Sequence, residues 1–176
     1  VVDADRLILN DNGTMKQIAV TDLNTYLGSA TKLDDLSDAM IESNSMYIGN
    51  DPASTTSTAE YNVAVGTTAL DAITNGDNNV AVGYNALTAN TTASYGTAVG
   101  YEALTANTTG ANNSAFGARA LDANTGGDYN TALGGWALSA NTTADNNTAV
   151  GSNCLAGNTT GTGNVAVGHD VMEASN

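Results

Sequence analysis

From residue 46 onward, apolar and polar positions recur with a single period. The tetrad Val63-Ala64-Val65-Gly66 returns as Val80 to Gly83, as "TAVG" from Thr97, and as "SAFG" from Ser114. It continues as "TALG" from Thr131, "TAVG" from Thr148 and "VAVG" from Val165, each 17 residues after the one before. A degenerate copy, "MYIG", starts at Met46, so residues 46–176 are eight copies of one unit, the last cut short.

Each position can then be read as a column. Before the glycine stand Ala64, Ala81, Ala98, Ala115, Ala132, Ala149 and Ala166, each followed by an apolar residue, mostly valine. The glycines are Gly66, Gly83, Gly100, Gly117, Gly134, Gly151 and Gly168. Four residues later come Leu70, Leu87, Leu104, Leu121, Leu138 and Leu155, then Met172. Asn90, Asn107, Asn124, Asn141 and Asn158 form a further column, each followed by threonine. A position that keeps its chemistry at fixed period does the same work in every copy.

Helix-pair repeats need ~34 residues, propeller blades ~40 and leucine-rich repeats ~20–29, so the period is too short for all three. It fits an all-β fold, a parallel β-solenoid (β-roll) of about eight rungs with two short strands per rung. The expected strands are "xVAVG" and "ALxA". The glycine supplies one corner, because it takes positive φ freely. Gly/Asn/Asp-rich stretches such as "NGDNN" and "GGDYN" supply the other. Stacking at ~4.8 Å, eight rungs would span roughly 40 Å. Asn and Thr would ladder from rung to rung while the Val and Leu columns fill a thin core. That core is meagre, so the small Ala and Gly columns are expected to face a second chain.

Ahead of the repeats, "DRLILNDNGTMKQIAVTDLNTYL" reads as a strand (Arg6–Asn10), an Asp-Asn-Gly turn and a strand (Met15–Val20). A short helix opened by Thr21 or Asp22 should follow. The expected organisation is a hairpin-plus-helix module over 1–28, a spacer over 29–45 and the solenoid over 46–176.

Units of the form "NTAVGxxALxANTTGxxN" resemble those of bacteriophage tail-fibre proteins, where they often precede a self-cleaving chaperone domain of the endosialidase type. The "VAVGxxAxA" core is also similar to the head repeats of trimeric autotransporter adhesins, which have a shorter period and form left-handed β-rolls that trimerise. The N-terminal segment resembles a small adaptor module of phage tail and fibre proteins. The resemblance implies a virion location, a homotrimer, other fibre proteins as partners and a host receptor, including a glycan. A bacterial surface adhesin or extracellular filament subunit is the alternative it leaves open.

Composition narrows the field further. The 176 residues include nineteen glycines but a single Trp and a single Phe, and much of the 41% apolar fraction is alanine. Large core-forming side chains are too scarce to offset chain entropy in an ordinary two-layer domain. Four basic residues stand against eighteen acidic ones, a formal charge of −14. Such a chain repels phosphate backbones and anionic lipid, so neither nucleic acid nor membrane is an expected partner. No apolar run approaches the ~20 residues of a membrane helix. The opening "VVDADRLILN" lacks the basic region and long apolar core of a signal peptide.

No catalytic or metal-binding constellation is visible, and a non-enzymatic protein without cofactor is expected. His169 is the single histidine. As adjacent strand residues, His169 and Asp170 would face opposite sides, which suits them poorly as a dyad. Cys154 falls in the column of Ala69, Ala86, Ala103, Ala120 and Ala137, a packing position. Asp71, Asp77, Asp122, Asp128 and Asp145 lie at turns and raise calcium, but the nine-residue calcium solenoid signature is missing. The "NTT" stretches match a glycosylation pattern that the ladder already explains. The pairs Thr91-Thr92, Thr108-Thr109, Thr142-Thr143 and Thr159-Thr160 raise ice binding, an array that Gly126 interrupts. Tyr84, Tyr101, Glu102, Arg119 and Trp136 occupy variable outward columns and could contact a carbohydrate or receptor, with no pattern that selects a receptor site.

Overall fold

The computed structural model describes four strands in the first 48 residues and then residues 58–172. Two units are present, Val1–Ser37 and Asp38–Asn176. In the first, β1 (Arg6–Asp11) pairs antiparallel with β2 (Thr14–Ala19), the register closing at Asp11 opposite Thr14. The helix expected at Thr21 or Asp22 and most of the expected spacer lie outside the described residues.

The second unit is a parallel β-solenoid. β3 (Ala39–Glu42) pairs antiparallel with β4 (Ser45–Ile48). Seven further strands follow in parallel: β5 (Val63–Val65), β6 (Val80–Val82), β7 (Thr97–Val99), β8 (Ser114–Phe116), β9 (Thr131–Leu133), β10 (Thr148–Val150) and β11 (Val165–Val167). Each strand pairs with the equivalent residues one unit on, Ala64 opposite Ala81 and Ala81 opposite Ala98. Strict in-register stacking is the only register in which every column meets its own kind.

One expectation fails here. The "ALxA" segment is not a second strand. After each glycine the chain makes three overlapping turns, seen where Ala86 N–H donates to Gly83 O, Thr88 N–H to Asn85 O and Asn90 N–H to Leu87 O. The first two turns carry positive φ at their third residue, the pattern of a type II turn. Those residues are Asn85 and Leu87 in one rung, Glu102 and Leu104 in the next. The leucine column holds φ between 52° and 55° from Leu70 to Leu155. That conformation costs an L-residue about 1–2 kcal/mol. Burying a leucine side chain gains roughly 1.5–3 kcal/mol in return, and every leucine of the column from Leu70 to Leu155 is fully buried. The left-handed residue also turns its N–H along the stack, so Leu87 donates to Ala103 O at 3.1 Å and Leu104 to Ala120 O at 3.0 Å. The segment is hydrogen-bonded between rungs as thoroughly as a strand.

A second expectation reverses. In each strand the central residue points inward, and Ala64, Ala81, Ala98, Ala115, Ala132 and Ala149 are fully buried in the chain's own core. Their valine neighbours point outward, so the valine columns do not fill the core. The Ala and Gly columns are not free to form an interface. A Cβ on Gly83 would stand 2.4 Å from Gly100 O, and one on Gly151 2.3 Å from Gly168 O. These glycines also hold φ between 129° and 140°, which other residues rarely adopt. The close approach is between rungs of one chain.

Two asparagine columns complete the interior. In the column ending at Asn158, Asn124 Nδ2 donates to Asn107 Oδ1 at 2.8 Å and Asn141 Nδ2 to Asn124 Oδ1 at 2.9 Å. The other holds Asn62, Asn79, Asn113, Asn130, Asn147 and Asn164, just before each strand. There the amide oxygen accepts the next rung's backbone N–H, as from Asn130 to Asn113 Oδ1 at 2.8 Å. In several rungs both columns converge on one carbonyl: Gly127 O accepts from Asn113 Nδ2 at 2.6 Å and Asn124 Nδ2 at 3.0 Å, whereas Asn147 Nδ2 is left without a partner. Buried amides need such partners, because an unmade hydrogen bond costs more than a made one gains.

Two outcomes are expected in denaturant or thermal unfolding. Leu104→Met should cost under about 1.5 kcal/mol, whereas Leu104→Ile should cost at least about 2 kcal/mol more, since a β-branched residue tolerates positive φ poorly. Asn124→Ala should cost about 2–4 kcal/mol by orphaning its buried partners, while Thr143→Ala at an exposed position stays within about 0.5 kcal/mol.

Candidate functional site

Function has only the outward columns to work with, because the inward ones are committed to stacking. Three groups of outward residues stand out. The first is the face of the sheet. Its column of Val65, Val82, Val99, Phe116, Leu133, Val150 and Val167 is half-buried to exposed, with Phe116 at 41% and Leu133 at 49%. Nothing in the chain's own core uses this face.

The second group lies at the corner after the glycine. Tyr84 and Tyr101 stack with ring centroids 5.5 Å apart and planes inclined by 17°. The Arg119 guanidinium lies 6.0 Å from the Tyr101 ring and its Nε is 2.8 Å from Glu102 Oε2. The Glu102 carboxylate raises the Tyr101 phenol by hydrogen bonding above all, and its charge raises the Arg119 guanidinium. Trp136 is exposed one rung beyond Arg119, in the same column. The structure therefore gathers the sequence-nominated Tyr84, Tyr101, Glu102 and Arg119 into one ladder. Tyr101 lies between Tyr84 and Arg119 yet remains 49% exposed.

The third group was not singled out from sequence. Tyr61, Tyr95 and Tyr129 occupy one column at 57–60% exposure, on alternate rungs, with Asn78 and Asn112 between them and Asn146 following. Reading the chain at twice its basic period would have revealed it.

The remaining candidates are absorbed by the stack. Cys154 is a free, fully buried thiol in the alanine column. His169 Nδ1 lies 2.8 Å from Asp170 Oδ2, because the two sit in a turn and not on a strand as expected. Both are exposed, and Asp170 Oδ1 also accepts from Asn153 Nδ2 at 3.0 Å, an arrangement that contains no nucleophile. The carboxylates of Asp77, Asp128 and Asp145 accept backbone N–H groups of Glu60, Ala111 and Asp128 at 2.7–2.8 Å, each from the preceding rung. No cluster of three His, Cys, Asp or Glu that could hold a metal occurs among the described residues. Threonine hydroxyls are likewise engaged, Thr74 with Thr91 O at 2.8 Å and Thr108 with Thr125 O at 3.0 Å.

Comparison with protein-family models, curated proteins and solved structures finds no match to this chain. The reading of function therefore rests on the surfaces themselves.

Among the described residues Asp122 is the one carboxyl raised above its ordinary value, chiefly by burial, and its Oδ1 has no partner. A raised carboxyl means the folded state holds the proton more tightly, so stability falls as pH climbs from the ordinary carboxylate range through the raised value. Asp122→Asn should therefore raise the melting temperature at neutral pH, and the gain should vanish under acid conditions where both states are protonated. Thermal melts across pH would check it.

Proposed function

We propose that this chain is a non-enzymatic structural shaft and adhesion segment of a phage tail fibre, assembled as a homotrimer that presents a host-binding region. The observation that carries the reading is the outward apolar face of the sheet. The outward face carries two columns, and the first strand position is polar at Thr97, Ser114, Thr131 and Thr148, as a repeat that folds alone would have it. Yet every copy from Val65 to Val167 has an apolar residue at the third strand position. Contiguous exposed apolar surface marks an interface, and a face repeating at rung spacing suits an identical chain running beside it in the same register. Three chains packed on these faces would form a stiff rod, with the corner residues left outside for the host. The sequence resemblance to tail-fibre repeats supplies the biological setting, and the bacterial adhesin shares the same architecture.

Mass measured by light scattering after size exclusion should be about three times that of the 17.7 kDa chain. Leu133→Asp places a charge on the outward face and should release folded monomer, with the circular dichroism of the parent. A parent that is a stable folded monomer would refute the trimeric shaft.

A further inference from the structure

Stacking sets the backbone of the column that holds Tyr61, Tyr95 and Tyr129, where the N–H groups of Tyr95 and Tyr129 bond to the preceding rung, but it does not use the tyrosine rings. All three backbones hold φ between 56° and 61°. Asparagine and glycine adopt that region most readily, and they occupy the same column elsewhere as Asn78, Asn112, Asn146 and Gly163. The three tyrosine side chains stand 57%, 60% and 60% exposed. Trp136 is likewise exposed at positive φ, but no second ring recurs in its column. The tyrosine rings do not stack on one another as Tyr84 and Tyr101 do, since a rung bearing asparagine separates each pair. Exposed aromatic surface that recurs on alternate rungs points to a ligand.

We infer that this row binds an extended, neutral β-1,4-linked polysaccharide, one tyrosine to every second sugar. Two rungs separate neighbouring tyrosines, about 9.6 Å at the usual strand spacing. In a β-1,4-linked chain successive pyranose rings are flipped, so equivalent faces recur once per disaccharide, over nearly the same length. Pyranose faces carry axial C–H groups that pack on an aromatic face. Between the tyrosines, the carboxamides of Asn78 and Asn112 are set to bond hydroxyl or acetamido groups of the intervening sugars, and Asn146 extends the row by one rung. Charge selects against acidic polymers: Glu60 and Asp128 directly precede two of the tyrosines, and Arg119 is the one Lys or Arg among residues 58–172. Three weak contacts in register add through effective concentration, as a rigid scaffold permits. This inference extends the fibre reading by giving the shaft a ligand, and the two fail separately, since one is read by mass and the other by binding.

The test is calorimetric titration of the full chain with chitohexaose and cellohexaose, with α-linked maltohexaose as control. A hexaose, three disaccharides or about 29 Å at that spacing, covers the whole Tyr61-to-Tyr129 span of four rungs or about 19 Å. The expected result is binding of at least one β-linked hexaose and none of maltohexaose. The triple variant Y61N/Y95N/Y129N, which installs the residue already used on alternate rungs, should bind at least about tenfold more weakly. Its mass in solution should be unchanged and its melting temperature equal or higher. No binding of either β-linked hexaose, equal binding of maltohexaose, or unweakened binding by the variant would overturn the inference. A variant with altered mass would place the row between copies of the chain, and one that melts lower would make the rings part of the packing; either also overturns it.

Discussion

The whole solenoid depends on one constraint: each backbone group directed along the stack must meet its complement in the neighbouring rung, 16 to 18 residues away in sequence. Three-residue strands supply only a few such bonds per rung. The rest come from turns, which in ordinary proteins would point their amides at water. Here the alternation of left-handed residues after each glycine aims Leu87 and Ala89 N–H at the carbonyls of Ala103 and Thr105. The same geometry brings the glycine backbones so close that no Cβ fits between Gly83 and Gly100. Leucine burial, glycine conservation of space and asparagine clamping are all consequences of keeping every rung superimposable on the next.

This constraint explains what could be read from sequence and what could not. Period, strand position, parallel register and the glycine corner were legible, because a column of glycines or alanines is a statement about space that needs no structure. The second strand was misread because "ALxA" has the apolar spacing of a buried strand, and leucine is among the last residues expected at positive φ. Nothing local distinguishes a leucine held left-handed by its neighbours from one in an extended chain. The inward and outward faces were exchanged for a related reason. Size usually marks the core, and valine exceeds alanine, yet a rung this thin has room for alanine at its strand and leucine only at its turn.

Surface features divided along the same line. Tyr84, Tyr101, Glu102 and Arg119 could be nominated because they break the pattern of their columns, but their mutual arrangement needed the stack, which places residues 17 apart in sequence side by side. His169 and Asp170 illustrate the converse: the assumption of a strand kept them apart, whereas the turn brings them within 2.8 Å. Tyr61, Tyr95 and Tyr129 escaped notice because their regularity has twice the basic period, and alignment by single units scatters it among asparagines.

A stack of identical rungs leaves sequence freedom in an unusual form. In a globular protein a site is assembled from distant segments, and its chemistry can be crowded into a cleft. A solenoid can vary only its outward columns, and each column is a line parallel to the axis with a fixed pitch. Recognition on such a surface is therefore linear and periodic, better matched to a polymer or to another solenoid than to a small molecule. The apolar face of the sheet and the alternating tyrosines are two expressions of that rule, one repeating every rung and the other every second. Their different pitches argue that they serve different partners: a copy of the chain must match every rung, while a ligand with a longer repeat need match only alternate ones.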